Sequence, residues 1–206
     1  MKVDLKSDHL VNDASCKAAT GKTLTDWFKA LDKHGGIEIG RRMLGQWLMK
    51  ELDVEPWWSA TILHEYEIAR GDLATDGKPK GFSICPTKSI KASAKTCFAA
   101  FADAKALDGW FGARHDVDLR DGGYWRNADG NRAVIRKVNA GKNIRLIAED
   151  KGLTQPTPVE IKFEAKGASC TVMVAIERLQ TRAEADGYRR AWSAALDKLK
   201  AHLEAG

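Results

Sequence analysis

Between residues 159 and 165 the chain reads V-E-I-K-F-E-A, with an apolar side chain at every second position and charges between them. Side chains with that period bury one face and wet the other only in a β-strand. Five more segments have strand character, at 117–119, 124–127, 132–138, 144–149 and 170–178. The words between the six, DGG, ADG, NAGK, LTQPTP and KGAS, each suit a turn or hairpin loop. Six strands so joined predict an antiparallel meander. Tyr188, Trp192, Ala195, Leu196, Leu199 and Leu203 then fall on one helical stripe, so a long amphipathic helix closes the chain with one face to bury.

Upstream, 82–90 reads as a strand and 94–102, with Cys97, Phe98 and Phe101, as a short helix. A helical turn ending in Leu107, Trp110 and Phe111 follows. The first third has only helical spacing. A short helix is expected over 7–19. Thr23 with Asp26 resembles a capping box ahead of Leu24, Trp27, Phe28 and Leu31, and Gly35 and Gly36 stop that helix. A longer helix is expected over 39–52, and Pro56 suits the first turn of a fourth carrying Trp57, Trp58, Ile62, Leu63 and Tyr66. The domain organisation expected is a helical domain at 1–70, a linker at 71–81 (GDLATDGKPKG) and a second domain at 82–206. Charge changes sign in the same place, from −3 over residues 1–76 to +8 over 77–206. Four of the seven tryptophans, Trp27, Trp47, Trp57 and Trp58, lie in the acidic third, where large rings supply the core that a small bundle lacks.

Several function classes drop out. The absence of a long apolar run, and an N-terminus MKVDLKSDHL that lacks the apolar stretch of a signal peptide, lead to the expectation of a soluble, cytoplasmic protein with no membrane span. Cys16, Cys85, Cys97 and Cys170 are too scattered for a disulfide framework or a zinc site, so reduced, mostly buried thiols and no metal are expected. The bases of the second part form no continuous block, which argues against a nucleic-acid partner. Thr20-Gly21-Lys22-Thr23 lacks the glycine of a phosphate loop, since Cys16 stands there, and reads as a helix cap. His64-Glu65 lacks the second His of a zinc-protease helix, Ile68 taking that place, and reads as a solvated or locally paired dyad. No G-x-S-x-G elbow is present. No catalytic residue and no cofactor are assigned.

Strand, two short helices, six antiparallel strands and a long helix is the order of the helix-grip fold, an α+β architecture in which a curved sheet wraps the last helix. Residues 82–204 resemble the activator of heat-shock-protein-90 ATPase homologue branch of the START-like (SRPBCC) superfamily. The resemblance is carried by Gly109-Trp110-Phe111, the hairpin Gly122-Gly123-Tyr124-Trp125-Arg126, the strand Ile144-Arg145-Leu146-Ile147, and Trp192-x3-Leu196-x2-Leu199-x3-Leu203. Residues 13–70 are similar to a short bacterial helical domain of unknown function that often precedes such a domain, through Thr20 to Thr23, Trp27 and the stretch from Trp47-Leu48 to His64.

Alternation selects the lining expected between sheet and helix: Ile144, Leu146, Ile161, Phe163, Val172 and Val174 from the strands, Trp192 and Leu196 from the helix, with Trp110, Phe111 and Trp125 beside them. These aromatics either plug the grip or line a site. His115, Arg126 and Arg145 are the polar groups expected at a cavity mouth. Three readings follow. One is a noncatalytic START-like protein that binds a small apolar or amphipathic molecule in the grip. The second, implied by the family name, is a protein-interaction module that regulates a chaperone. The third, implied by other superfamily members, is a cyclase or hydrolase acting on aromatic substrates. Oligomeric state is left open.

Overall fold

The computed structural model describes residues 1–112 and 114–205, and the chain divides into two units. One is Ser7–Phe82. The other joins Met1–Lys6 to the chain from Ser83 onward, so the first six residues group with the sheet rather than with the helices that follow them.

In the helical unit, α1 spans Asp13–Thr20, a later start than expected because the reciprocal cap is Asn12 with Ser15. α2 spans Leu24–Lys33, and Thr23 Oγ1 accepts from the Asp26 N–H at 3.1 Å. The single helix expected over 39–52 is instead a 3-10 turn (Gly36–Ile39), α3 (Arg41–Gln46) and a π-helical turn (Trp47–Glu51), closed by the Leu52 N–H on Trp47 O at 3.2 Å. α4 spans Pro56–Arg70, with proline in the first turn and the Glu55 carboxylate accepting from the Trp58 N–H. Trp27, Trp57 and Trp58 are buried around Leu31, Leu48 and Ile62. Trp47 is half-buried and stacks on His34 with ring centroids 4.0 Å apart. His64 is not part of a solvated dyad. It is buried, with its ring 4.0 Å from that of Phe82, because its position on α4 faces inward.

The described residues form one eight-stranded sheet: β1 (Phe82–Ile84), β2 (Thr87–Ile90), β3 (Asp116–Val117), β4 (Tyr124–Arg126), β5 (Arg132–Asn139), β6 (Asn143–Ala148), β7 (Thr157–Lys166) and β8 (Ser169–Leu179). Their order is β1-β8-β7-β6-β5-β4-β3, with β2 also paired to β8. The run from β3 to β8 is the expected meander. The strand expected over 82–90 is broken at Pro86, which has no N–H to give a ladder, although its carbonyl accepts from Val174 N–H at 2.9 Å. The β3–β4 reversal uses Gly122 at φ 77° and Gly123, where a Cβ would stand 2.0 Å from Asp118 O, too close for any other residue. A register shift between Ile135 and Lys137 bends the β5–β6 pair.

Ile144, Leu146, Val159, Ile161, Phe163, Val172, Val174 and Ile176 are all buried on the inner face, whereas Arg145, Glu160 and Lys162 alternate to the outer one. Complete burial stabilises each such aliphatic side chain by roughly 1.5–3 kcal/mol. Two short helices, α5 (Ala94–Ala99) and α6 (Ala104–Asp108), precede β3, and α7 (Arg182–Glu204) closes the chain. Thr181 and Glu184 cap α7, and the buried Glu184 carboxylate also accepts from the Thr154 and Gln180 N–H groups, fixing the loop after β6 to the helix start. Tyr188, Trp192, Leu196 and Leu199 form its buried stripe. No helix among the described residues is long and apolar enough to cross a membrane.

Candidate functional site

Most of the grip is solid. Phe101 meets Trp110 at 4.8 Å and Phe163 at 5.2 Å between ring centroids, and Phe111 meets Trp125 at 5.1 Å and Trp192 at 5.0 Å, tilted or edge to face. The Trp110 N–H donates to Ala100 O at 3.0 Å, which satisfies the one polar atom of that ring. Ile144, Ile161, Val172, Val174 and Leu196 are fully buried. Of the lining expected from sequence, these five, Trp110 and Phe163 are packed core; Phe111, Trp125, Leu146 and Trp192 line what space is left.

That space is a cleft of about 30 Å³ at the end of the sheet where β4, β5 and β6 face α7. It holds a water molecule or two at most. Trp125, Leu146, Ala148, Val159 and Ile176 line it from the sheet, and Phe111 and Trp192 complete the lining. Trp125 Nε1 is buried and has no hydrogen-bond partner among the described residues. Such an orphaned donor costs about 1–3 kcal/mol.

The rim is polar and built by residues the sequence did not single out for it. Asp150, just beyond β6, accepts from Arg132 N–H at 2.7 Å, Asn131 Nδ2 at 3.1 Å and the Tyr188 hydroxyl at 2.9 Å. Burial pushes the Asp150 carboxyl above its ordinary range against the pull of these donors, and burial beside Asp150 pushes the Tyr188 phenol upward. Asn131 belongs to the β4–β5 turn, N-A-D-G-N, in which Asn127 Oδ1 accepts from the Asp129 and Asn131 N–H groups. The alternating Asn and Asp of that turn were the available signal, since short polar side chains that bond their own backbone build compact turns. Across the mouth lies Met1. It is 8% exposed, its side chain lines the cleft, and its nitrogen donates to Asp129 Oδ2 and Asn131 Oδ1, both at 2.7 Å.

The three polar residues expected at the mouth are elsewhere. His115 turns inward, its Nδ1 2.6 Å from Asp108 Oδ1 and its Nε2 3.1 Å from Asn127 Nδ2. Because the Asn127 oxygen is committed to two N–H groups, its amide nitrogen faces Nε2, which places the imidazole proton on Nδ1 toward Asp108. That bond holds the Asp108 carboxyl below its ordinary range. With both nitrogens engaged, His115 ties α6 to the β4–β5 turn. Arg126 pairs with Asp116 at the surface, and Arg145 pairs with Glu160 on the outer face because strand alternation points it away from the grip. Among the described residues no cluster of His, Cys, Asp and Glu is suited to a metal ion.

A family model described as Activator of Hsp90 ATPase homolog 1-like protein matches residues 91–204, from the end of β2 through α7. The chain belongs to that family. Solved structures agree on the fold of the Activator of Hsp90 ATPase homolog 1-like unit. CalU16 from Micromonospora echinospora matches with a TM-score of 0.54 at 18% identity, over 59% of this chain and 75% of its own. PFC0360w, an HSP90 activator from Plasmodium falciparum, gives 0.51 at 16% identity over 61% and 95%. The Aha1 dimer from Colwellia psychrerythraea gives 0.52 at 18% over 60% and 96%. Comparison with curated proteins gives no match.

Proposed function

We propose that the sheet unit binds a small apolar or amphipathic molecule at the open end of the grip, without turning it over. The observation that carries this reading is the lining: an aliphatic and aromatic wall, Leu146, Val159, Ile176 and Trp192, meets the hydrogen-bonded rim of Asn131, Asp150 and Tyr188. A wall of one kind beside a rim of the other suits a ligand with an apolar body and one polar end. Native mass spectrometry of protein purified from its own cells, together with titration by a solvatochromic naphthalene probe, tests it. Leu146→Trp, which fills the cleft, is expected to abolish probe binding while the circular dichroism spectrum stays native. Unchanged binding in that folded variant counts against the site.

A second reading, a chaperone-regulating interaction module, draws on the likeness to PFC0360w, an HSP90 activator, and on the solid aromatic packing of most of the grip. It is tested by adding the purified protein to an Hsp90 ATPase assay, where stimulation supports it and an unchanged rate opposes it.

A further inference from the structure

Gly187 sits inside α7, where glycine costs about 1 kcal/mol relative to alanine. Its neighbour explains it. A Cβ there would lie 2.5 Å from the carbonyl oxygen of Asp4, so the bare backbone lets the segment Met1–Lys6 lie directly on the helix. Arg190, one turn on, donates through Nη2 to the carbonyls of Asp4 and Lys6 at 3.2 and 2.6 Å. The segment is thus a docked strap whose one buried side chain, Met1, enters the cleft. A solvent-open hollow of about 310 Å³ runs between Lys2, Val3 and Leu5 on one side and Asp129, Asp150 and Tyr188 on the other. Met1 therefore stands between that hollow and the apolar cleft, which border on the same Asn131, Asp150 and Tyr188.

We infer that the Met1–Lys6 strap is a built-in occupant of the grip, displaced by an apolar ligand that carries a hydrogen-bond acceptor for Trp125 Nε1. This rests on the function proposed above and specifies its ligand. With the strap seated, the cleft is too small for anything beyond water; with Met1 withdrawn, the cleft opens into the hollow and gains room for a small molecule. The orphaned Trp125 N–H gives the chemistry: a buried donor with no protein partner gains most from a carbonyl, ether or hydroxyl oxygen on the ligand. A site occupied by its own chain binds with an affinity reduced by the fraction of time it is open, so removing the strap strengthens binding without any new contact.

The experiment uses the full chain, a deletion of residues 2–6, and Gly187→Ala, which drives the strap off by the added methyl while favouring the helix. Two probes are titrated, the naphthyl ketone prodan and its ketone-free dimethylaminonaphthalene parent. Both are expected to bind at least about tenfold more tightly to Gly187→Ala and to the deletion variant than to the unaltered chain. In the Gly187→Ala background, Trp125→Phe is expected to weaken prodan about tenfold and to leave the parent compound unaffected, the parent controlling for the smaller ring. Equal affinity of the full chain and both strap variants overturns the plug while leaving the cleft as a site. Equal effects of Trp125→Phe on both probes overturn the acceptor. No binding to any folded variant overturns the inference together with the function on which it rests.

Discussion

The Tyr188 hydroxyl donates to Asp150 Oδ2 at 2.9 Å, joining the inner stripe of α7 to the loop after β6 at the rim of the cleft. Tyr188→Phe removes one donor from a carboxylate withdrawn from water and is expected to cost about 1.5–3 kcal/mol at neutral pH. The sign with pH follows. Asp150 already titrates above its ordinary value, so its protonated form is favoured in the folded state; its contribution is fullest below the unfolded aspartate pKa and is lost as pH rises through the folded one. Losing Tyr188 as a donor raises that folded pKa further. Urea unfolding should therefore show a deficit at pH 7 that shrinks toward pH 4. An equal deficit at both values contradicts the assignment.

Trp192 touches Phe111 within the grip and lines the cleft, yet is only 6% exposed. Trp192→Ala is expected to destabilise the sheet unit by about 3–5 kcal/mol, the usual cost of truncating a buried aromatic. A loss below about 1 kcal/mol, measured by denaturant unfolding, would show that the ring supports little packing.

The period of two in β7, the turn words and the α7 stripe were enough to give the helix-grip order, because each is a local consequence of which side chains must leave water. Inner-face identities followed from the same alternation. The reading of 82–90 as one strand passed over Pro86, whose missing N–H breaks it. What the sequence did not disclose was volume. Nothing in the order of Phe101, Trp110, Phe111, Trp125 and Phe163 says that their rings fill the grip, since packing depends on rotamers and strand curvature. The rim was missed for a related reason: Asn131, Asp150 and Tyr188 come from three elements that only the fold brings together. His115 looked like a mouth residue because its partners, Asp108 at the end of α6 and Asn127 in the β4–β5 turn, meet it only in the fold. Gly187 drew no notice in the sequence, because the neighbour that requires it, Asp4, is brought to it only by the fold.

In the helical unit Asp32 accepts from the Tyr66 hydroxyl at 2.6 Å and from Arg70, linking α2 to α4. Arg70 and Tyr66 hold the Asp32 carboxyl down to about 2, and burial together with Asp32 pushes Tyr66 up to about 12. A depressed carboxyl contributes stability that is present above its unfolded value and lost as pH falls through its folded one. Thermal unfolding of the unaltered chain should thus weaken between about pH 4 and pH 2. Asp32→Asn should lower Tm at pH 7 and flatten that acid slope. A variant whose slope matches the unaltered chain would remove Asp32 as the acid-sensitive link.

Residues 71–81, expected from sequence as a linker, form a turn near the end of the helical unit. Leu73 bridges Pro79, Lys80 pairs with Asp72 at 2.6 Å, and Asp76 and Gly77 form an exposed tip. Limited digestion by a protease that cuts before aspartate is expected to cleave first at Asp76 and to leave two stable fragments. Initial cleavage within 39–52 would contradict a boundary there.

Methyl-resolved NMR during titration with prodan locates the ligand most directly. The expected result is saturable shifts clustered at the methyls of Ala133, Leu146, Ala148, Val159 and Ile176, which line the cleft, together with movement of the Met1 methyl as the strap yields. Shifts confined to the exposed Met43, Met49, Leu52 and Ile68 of the helical unit, with the cleft methyls unmoved, would contradict a ligand site in the grip.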